Sequence, residues 1–259
     1  MSDSQIDLHI EQPLAWITLR RPEKLNALTP AMLATLDSAL ATLDQDRDVR
    51  VVLLTGAGER AFCVGADIHA WGALEPLDMW RRWIRDGHRI FDRLAGLRQP
   101  TIAVLNGFTL GGGLELALAC DIRLAADTAQ FGQPEVTIGA IPGWGGTQRL
   151  PQIIGAGRAK QMIFSGARID AATAERWGLI NEAAPAKKLT QRARELAGQI
   201  AQNAPLAVQF AKQAIDSGTG FTAGMTLEAL AGALAASSQD GREGVAAFRE
   251  KRPPLFTGQ

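Results

Sequence analysis

TIAVLNGFTLGGGLELALACD, residues 101–121, decides the fold. An apolar run with the look of a buried strand leads into Gly111-Gly112-Gly113 and then directly into a Leu/Ala-rich helical pattern. Three glycines let the backbone approach a ligand closely, and the first turn of the helix leaves amide N–H groups without intrahelical partners. Such a terminus carries partial positive charge and can stabilise a phosphate or a developing oxyanion. The phosphate option is the weaker one. No Lys-Ser/Thr pair completes a P-loop, and the glycine spacing is not that of a dinucleotide fingerprint.

Outward from this turn, short apolar runs alternate with helical patterns: LAWITL (14–19), VVLLTG (51–56), TIAVLNG (101–107) and DIRLAA (121–126). That order predicts an α/β layout. Thr29 is the expected N-cap of the first helix and Pro30 its first residue, with Met32, Leu33, Leu36, Leu40 and Leu43 forming its core stripe. Beyond about residue 145 strand signals fade. RAKQMIFSG, AATAERWG, QRARELAGQIAQ, LAVQFAKQAIDSG and the segment from Thr222 to Ser238 all read as helices, two of them punctuated by Gly218 and Gly220. We expect an α/β core over 1–195 and a helical extension over 196–259.

Composition excludes several classes. The 259 residues are 46% apolar, and 27 Lys and Arg balance 27 Asp and Glu, so no bulk field selects nucleic acid or an anionic membrane. No apolar stretch reaches the roughly 20 residues of a membrane-spanning helix, and MSDSQIDLHIEQ has neither signal- nor transit-peptide character. A cytoplasmic protein is expected. Cys63 and Cys120 give no metal-ligand spacing and fit a reducing compartment, with a disulfide between them the minor alternative.

Two carboxylates stand out. Glu115 falls in the first turn after the glycines, where an acid is favoured by the helix dipole whether or not it has a chemical task. Glu135 follows Pro134 in FGQPEVTIG, where it is either a solvated loop acid or the second member of a pair. Two carboxylates beside an oxyanion-stabilising turn would supply the parts for proton transfer next to a carbonyl.

RRPEKLNALT (20–29), AFCVGADI (61–68), NGFTLGGGLELALACDIRLAA (106–126), FGQPEVTIGAIPGWGGTQRLP (131–151), WGLINE (177–182) and EGVAAFREKRPPLF (243–256) together resemble the crotonase, or enoyl-CoA hydratase/isomerase, superfamily nearly end to end. The resemblance implies a spiral of ββα units with a C-terminal helical region that builds a trimer or a hexamer, a dimer of trimers. It implies an enoyl-CoA hydratase, adding water syn across C2–C3 of a 2-enoyl-CoA thioester to give the 3-hydroxyacyl-CoA. No cofactor is needed beyond the coenzyme A that the substrate carries.

By the same resemblance, the backbone amides of Ala66 and Gly112 form the oxyanion hole, Glu115 activates the water, and Glu135 handles the proton at C2. Lys24, Leu25, Ala66, Asp67, Ile68 and Gly112 are implied to line the CoA groove, and Phe248 and Lys251 to reach CoA on a neighbouring subunit. RRPEK also reads as a plain basic surface turn. Relatives on this fold include Δ3,Δ2-enoyl-CoA isomerases, decarboxylases, dehalogenases and thioester hydrolases; retention of both glutamates favours hydration. A catalytically silent CoA-binding scaffold and an RNA-binding protein are disfavoured. MLATLDSALATLDQDRDVR has no lysine and several aspartates, which suits no polyanion. Trp144, Trp71, Trp80 and Trp83 shape an acyl pocket or serve as core and interface packing. His69 and His88 match no catalytic position, and Asp121 and Asp127 read as structural.

Overall fold

The computed structural model describes residues 5–72, 74–217 and 221–259, with the backbone alone for 221–223. Among the described residues, ten strands form two sheets. The larger has the order β1 (Ile6–Glu11), β2 (Leu14–Leu19), β3 (Val51–Gly56), β5 (Thr101–Leu105), β7 (Ile122–Ala126), β10 (Glu182–Ala184). The smaller has the order β4 (Ala61–Cys63), β6 (Phe108–Leu110), β8 (Gln130–Gly132), β9 (Ile169–Asp170).

β1 and β2 make an antiparallel hairpin with Ile6 opposite Leu19 and Glu11 opposite Leu14. From β2 to β10 the large sheet is parallel. Parallel strands are covered on both faces, which is why β3 and β5 are almost unbroken apolar runs rather than alternating ones. The pairs β3/β4, β5/β6 and β7/β8 each send their first strand to the large sheet and their second to the small one. After each pair the chain turns into helix, at Ile68–Trp71, Gly112–Leu118 and, past a 3-10 turn, Gly146–Ile154. Three ββα units in succession make the spiral expected from the sequence.

The first helix, Pro30–Gln45, starts where expected. Thr29 accepts a hydrogen bond from the Met32 amide at 3.2 Å, and the buried residues are the predicted stripe plus Ala39. Removing any one of these leucines would cost about 2–5 kcal/mol. Leu189–Ala201 spans the 195/196 position and covers the large sheet with Ala193, Ala197 and Ala201, small residues that let helix and strands approach closely. Pro205–Asp216, Phe221–Ser237 and Gln239–Glu250 follow. Gly218 and Gly220 lie outside the described residues. Cys63 and Cys120 are free and buried, and burial pushes both thiols up to about 12. Asp121 is structural: it accepts from the Thr101 amide at 2.7 Å and pairs with Lys212 at 2.8 Å.

Candidate active site

The small sheet positions the site. β4, β6 and β8 run parallel and adjacent, so the segments leaving their C-terminal ends converge at one edge. β4 leads to Val64–Asp67, β6 to Gly111 and Gly112, and β8 to Gln133 and Glu135. The Gly111 amide donates to the Gly132 carbonyl at 3.0 Å and ties the second and third segments together. A parallel loop contact ties the first to the N-terminal turn: Leu28 N–H donates to Gly65 O at 2.8 Å, and Asp67 N–H to Leu28 O at 2.9 Å.

Ala66 and Gly112 are brought side by side. A Cβ built on Gly112 would stand 3.5 Å from the Ala66 nitrogen, and one on Gly65 would stand 3.1 Å from the Gly112 nitrogen. Gly112 is the first residue of its helix, where an amide has no intrahelical acceptor. The Ala66 amide takes part in none of the turn or loop hydrogen bonds among the described residues. Gly65 has φ +102 and Gly111 φ +53, conformations that residues with a Cβ rarely adopt.

Glu115 is 2% exposed. One of its oxygens, Oε1, accepts from the amides of Trp144 and Gly146, both at 2.7 Å. Burial raises its carboxyl above the ordinary value, while the Gly146, Trp144 and Gly143 amides pull the other way by stabilising the charged form. Glu135 opens a 3-10 turn, Glu135–Ile138, and its carboxyl is pushed up to about 7 by burial, with the Glu115 charge adding in the same direction. Gln133, fully buried, faces it. With the amide nitrogen toward the carboxylate, Gln133 donates to the two Glu135 oxygens at 2.9 and 3.1 Å. Sequence reasoning missed Gln133 as a site residue, although it stands two positions before Glu135 in the segment that marks the site.

Both glutamates face a cavity of about 580 Å³, lined among others by Ala66, Ile68, Trp71, Trp83, Gly112 and Trp144. Among the described residues, its lining carries no charged side chain apart from the two glutamates. Trp144 is buried between Trp83, at a ring separation of 5.1 Å, and Phe91, at 5.3 Å, and so serves both the core and the pocket. Trp80 is exposed and outside the lining. His69 and His88 also lie outside it.

Ile68 is on the cavity rim, 55% exposed. Asp67 is near but engaged: its carboxylate binds Arg21 Nη1 at 2.6 Å and caps the His69 amide at 3.0 Å, and Arg21 holds that carboxyl below its usual range. Lys24 ends an exposed 3-10 turn, and Leu25 and Asn26 follow with φ 52 and φ 57. Leu25 lines a separate small cavity with Pro22, Asn26 and Ala57. Phe248, 86% exposed, and Lys251 do not line the main cavity of their own chain.

Comparison with known proteins agrees with this geometry. The model of the enoyl-CoA hydratase/isomerase family matches residues 9–259. The short-chain-enoyl-CoA hydratase of Clostridium acetobutylicum is 41% identical, with 97% of each chain covered. The crotonyl-CoA hydratase of Syntrophomonas wolfei is 39% identical, with 99% of each covered. The crystal structure of an enoyl-CoA hydratase from Bacillus anthracis superposes with a TM-score of 0.95 at 40% identity, covering 98% of this chain and 100% of that one. The chain has the crotonase fold and belongs to the enoyl-CoA hydratase/isomerase family.

Proposed function

We propose that the chain is an enoyl-CoA hydratase, adding water to 2-enoyl-CoA thioesters. The observation that carries this reading is the pair of carboxyls, Glu115 buried and Glu135 half-buried, converging on one apolar cavity beside the Ala66 and Gly112 amides. The thioester oxygen accepts hydrogen bonds from those two amides. As water attacks C3, electrons move through C2 onto that oxygen, and preorganised donors stabilise the charge where bulk water is excluded.

The two glutamates divide the protons between them. Glu115, whose carboxylate form is supported by backbone amides, takes a proton from the attacking water. Glu135, pushed up to about 7, has a large protonated fraction at neutral pH and gives its proton to C2. Both groups reach the double bond from one cavity, which supports syn addition. Transfer of a proton from Glu115 back to Glu135 resets the site.

The left-handed turn at Leu25 and Asn26, with the Ala66–Ile68 segment hydrogen-bonded beside it, is our candidate groove for the coenzyme arm. In this reading Lys24 supplies the charge and Asp67 contributes backbone rather than carboxylate. The protein assembles as a trimer or a dimer of trimers. Helix Phe221–Ser237 supports this, since it exposes Leu227, Leu230 and Leu234 by 36, 65 and 56% at spacings of three and four that place them on one face, and a monomer rarely leaves such an apolar face in water. Phe248 and Lys251 then contact CoA held by a neighbour. The free thiols favour the cytoplasm.

The test follows loss of enoyl absorbance with crotonyl-CoA for the wild type, Glu115→Gln and Glu135→Gln. Both variants should lose about 10²–10⁴ in kcat. Full activity in either one refutes the paired mechanism, and an inert wild type that still binds acyl-CoA refutes hydration of this substrate.

A further inference from the structure

Trp144 is one of the residues that line the cavity. Trp144 sets its six-membered ring against Gly112, where an added Cβ would lie 2.7 Å from Cζ3. Its pyrrole edge presses on Gly87, where an added Cβ would lie 2.2 Å from Cδ1. The indole N–H donates to the Trp83 carbonyl at 3.2 Å, and the residue as a whole is 2% exposed. The same residue's backbone amide holds Glu115, so the ring belongs to the residue that fixes that carboxyl. Glycine at both 87 and 112 leaves room for an indole and for nothing larger between the Gly112 turn and helix Arg85–Ala95.

We infer that Trp144 is the acyl-chain stop, blocking the inward route past C4 and restricting the site to short, uncharged 2-enoyl thioesters. This rests on the acyl-thioester reading above. A chain extended beyond the glutamates meets the indole on the inner side. The remaining way out passes Ile138 and Ile141, 54 and 71% exposed, where extra methylenes gain little burial. Among the described residues the lining has no cationic side chain, which leaves a carboxylated acyl group unpaired there. Trp144→Ala keeps the backbone amide that holds Glu115 and opens a channel bounded by Gly87, Trp83 and Phe91.

The experiment is calorimetric binding of saturated butyryl-, hexanoyl- and decanoyl-CoA, which cannot be hydrated, to wild type and Trp144→Ala. Hydration of the matching enoyl thioesters is measured alongside. Wild type should gain no affinity from four to ten carbons. The variant should raise the decanoyl-to-butyryl ratio by about ten-fold or more, since buried methylenes discriminate on that scale. A wild-type affinity that climbs with chain length overturns the proposal, and so does an unchanged ratio in the variant. If the variant does not fold, the wild-type series alone decides. Chain-length discrimination without hydration sinks the hydratase chemistry and leaves the stop in place; failure to bind any acyl-CoA overturns both.

Discussion

Replacing Glu135 by glutamine should stabilise the protein in a pH-dependent way while disabling it. The folded state lifts this carboxyl from 4.5 to about 7, with burial the main cause and the Glu115 charge secondary. At pH below 4.5 the carboxyl is neutral folded and unfolded, and no penalty exists. Between 4.5 and about 7 the folded chain retains a proton that the unfolded chain has released, so stability falls as pH rises. Above that window the penalty is complete, at about 2–3 kcal/mol after allowance for solvent screening. Glutamine removes the titration and can still accept from Gln133. In a chain of this size the gain amounts to about 4–10 °C in Tm at pH 8 and close to none at pH 4.5. Thermal unfolding of both proteins at equal concentration reads it, since the proposed assembly would make Tm concentration-dependent. A Tm difference that stays constant across pH, or a variant less stable at pH 8, would refute the assignment of that strain to Glu135.

Three further outcomes test the geometry and the assembly. Gly112→Ala pushes a methyl to 2.7 Å from Trp144 Cζ3 and disturbs the amide pair. It should cost about 10²–10³ in kcat and about 1–3 kcal/mol in stability. Combining it with Trp144→Ala should recover part of the stability, since the two residues share one contact. Leu230→Asp, on the apolar helix Phe221–Ser237, should shift light scattering toward smaller species; an unchanged mass rules that face out as the interface.

What could be read in the sequence follows from how each element is specified. β3 and β5 were legible because a strand covered on both faces is almost continuously apolar, and β2 and β7 because their short runs are mostly apolar despite Thr18 and Arg123. β4, β6 and β8 were not, because three residues carry no periodicity and their partners lie far away along the chain. The glycine turn and Glu115 were legible for a local reason, a helix start beside a cluster of glycines. Glu135 gained meaning only from the family pattern, since its environment is made by β8, Gln133 and the distant Glu115. The Asp67–Arg21 pair joins residues 46 apart and left no local signal.

Trp144 shows why a site of this kind resists reading one residue at a time. Its amide fixes Glu115, its ring closes the cavity against Gly112, and its N–H anchors the ring to the Trp83 carbonyl. A sequence presents it as one large apolar residue, equally suited to core or pocket. The structure makes it both, because the Glu115 carboxylate is held by the backbone of a residue whose side chain lines the cavity. Changing the ring can therefore alter substrate choice with the backbone donor to Glu115 still in place, whereas changing the backbone around Gly145, with φ +105, would move acid and wall together. That separation allows chain-length preference to vary on this fold without rebuilding the proton-transfer pair.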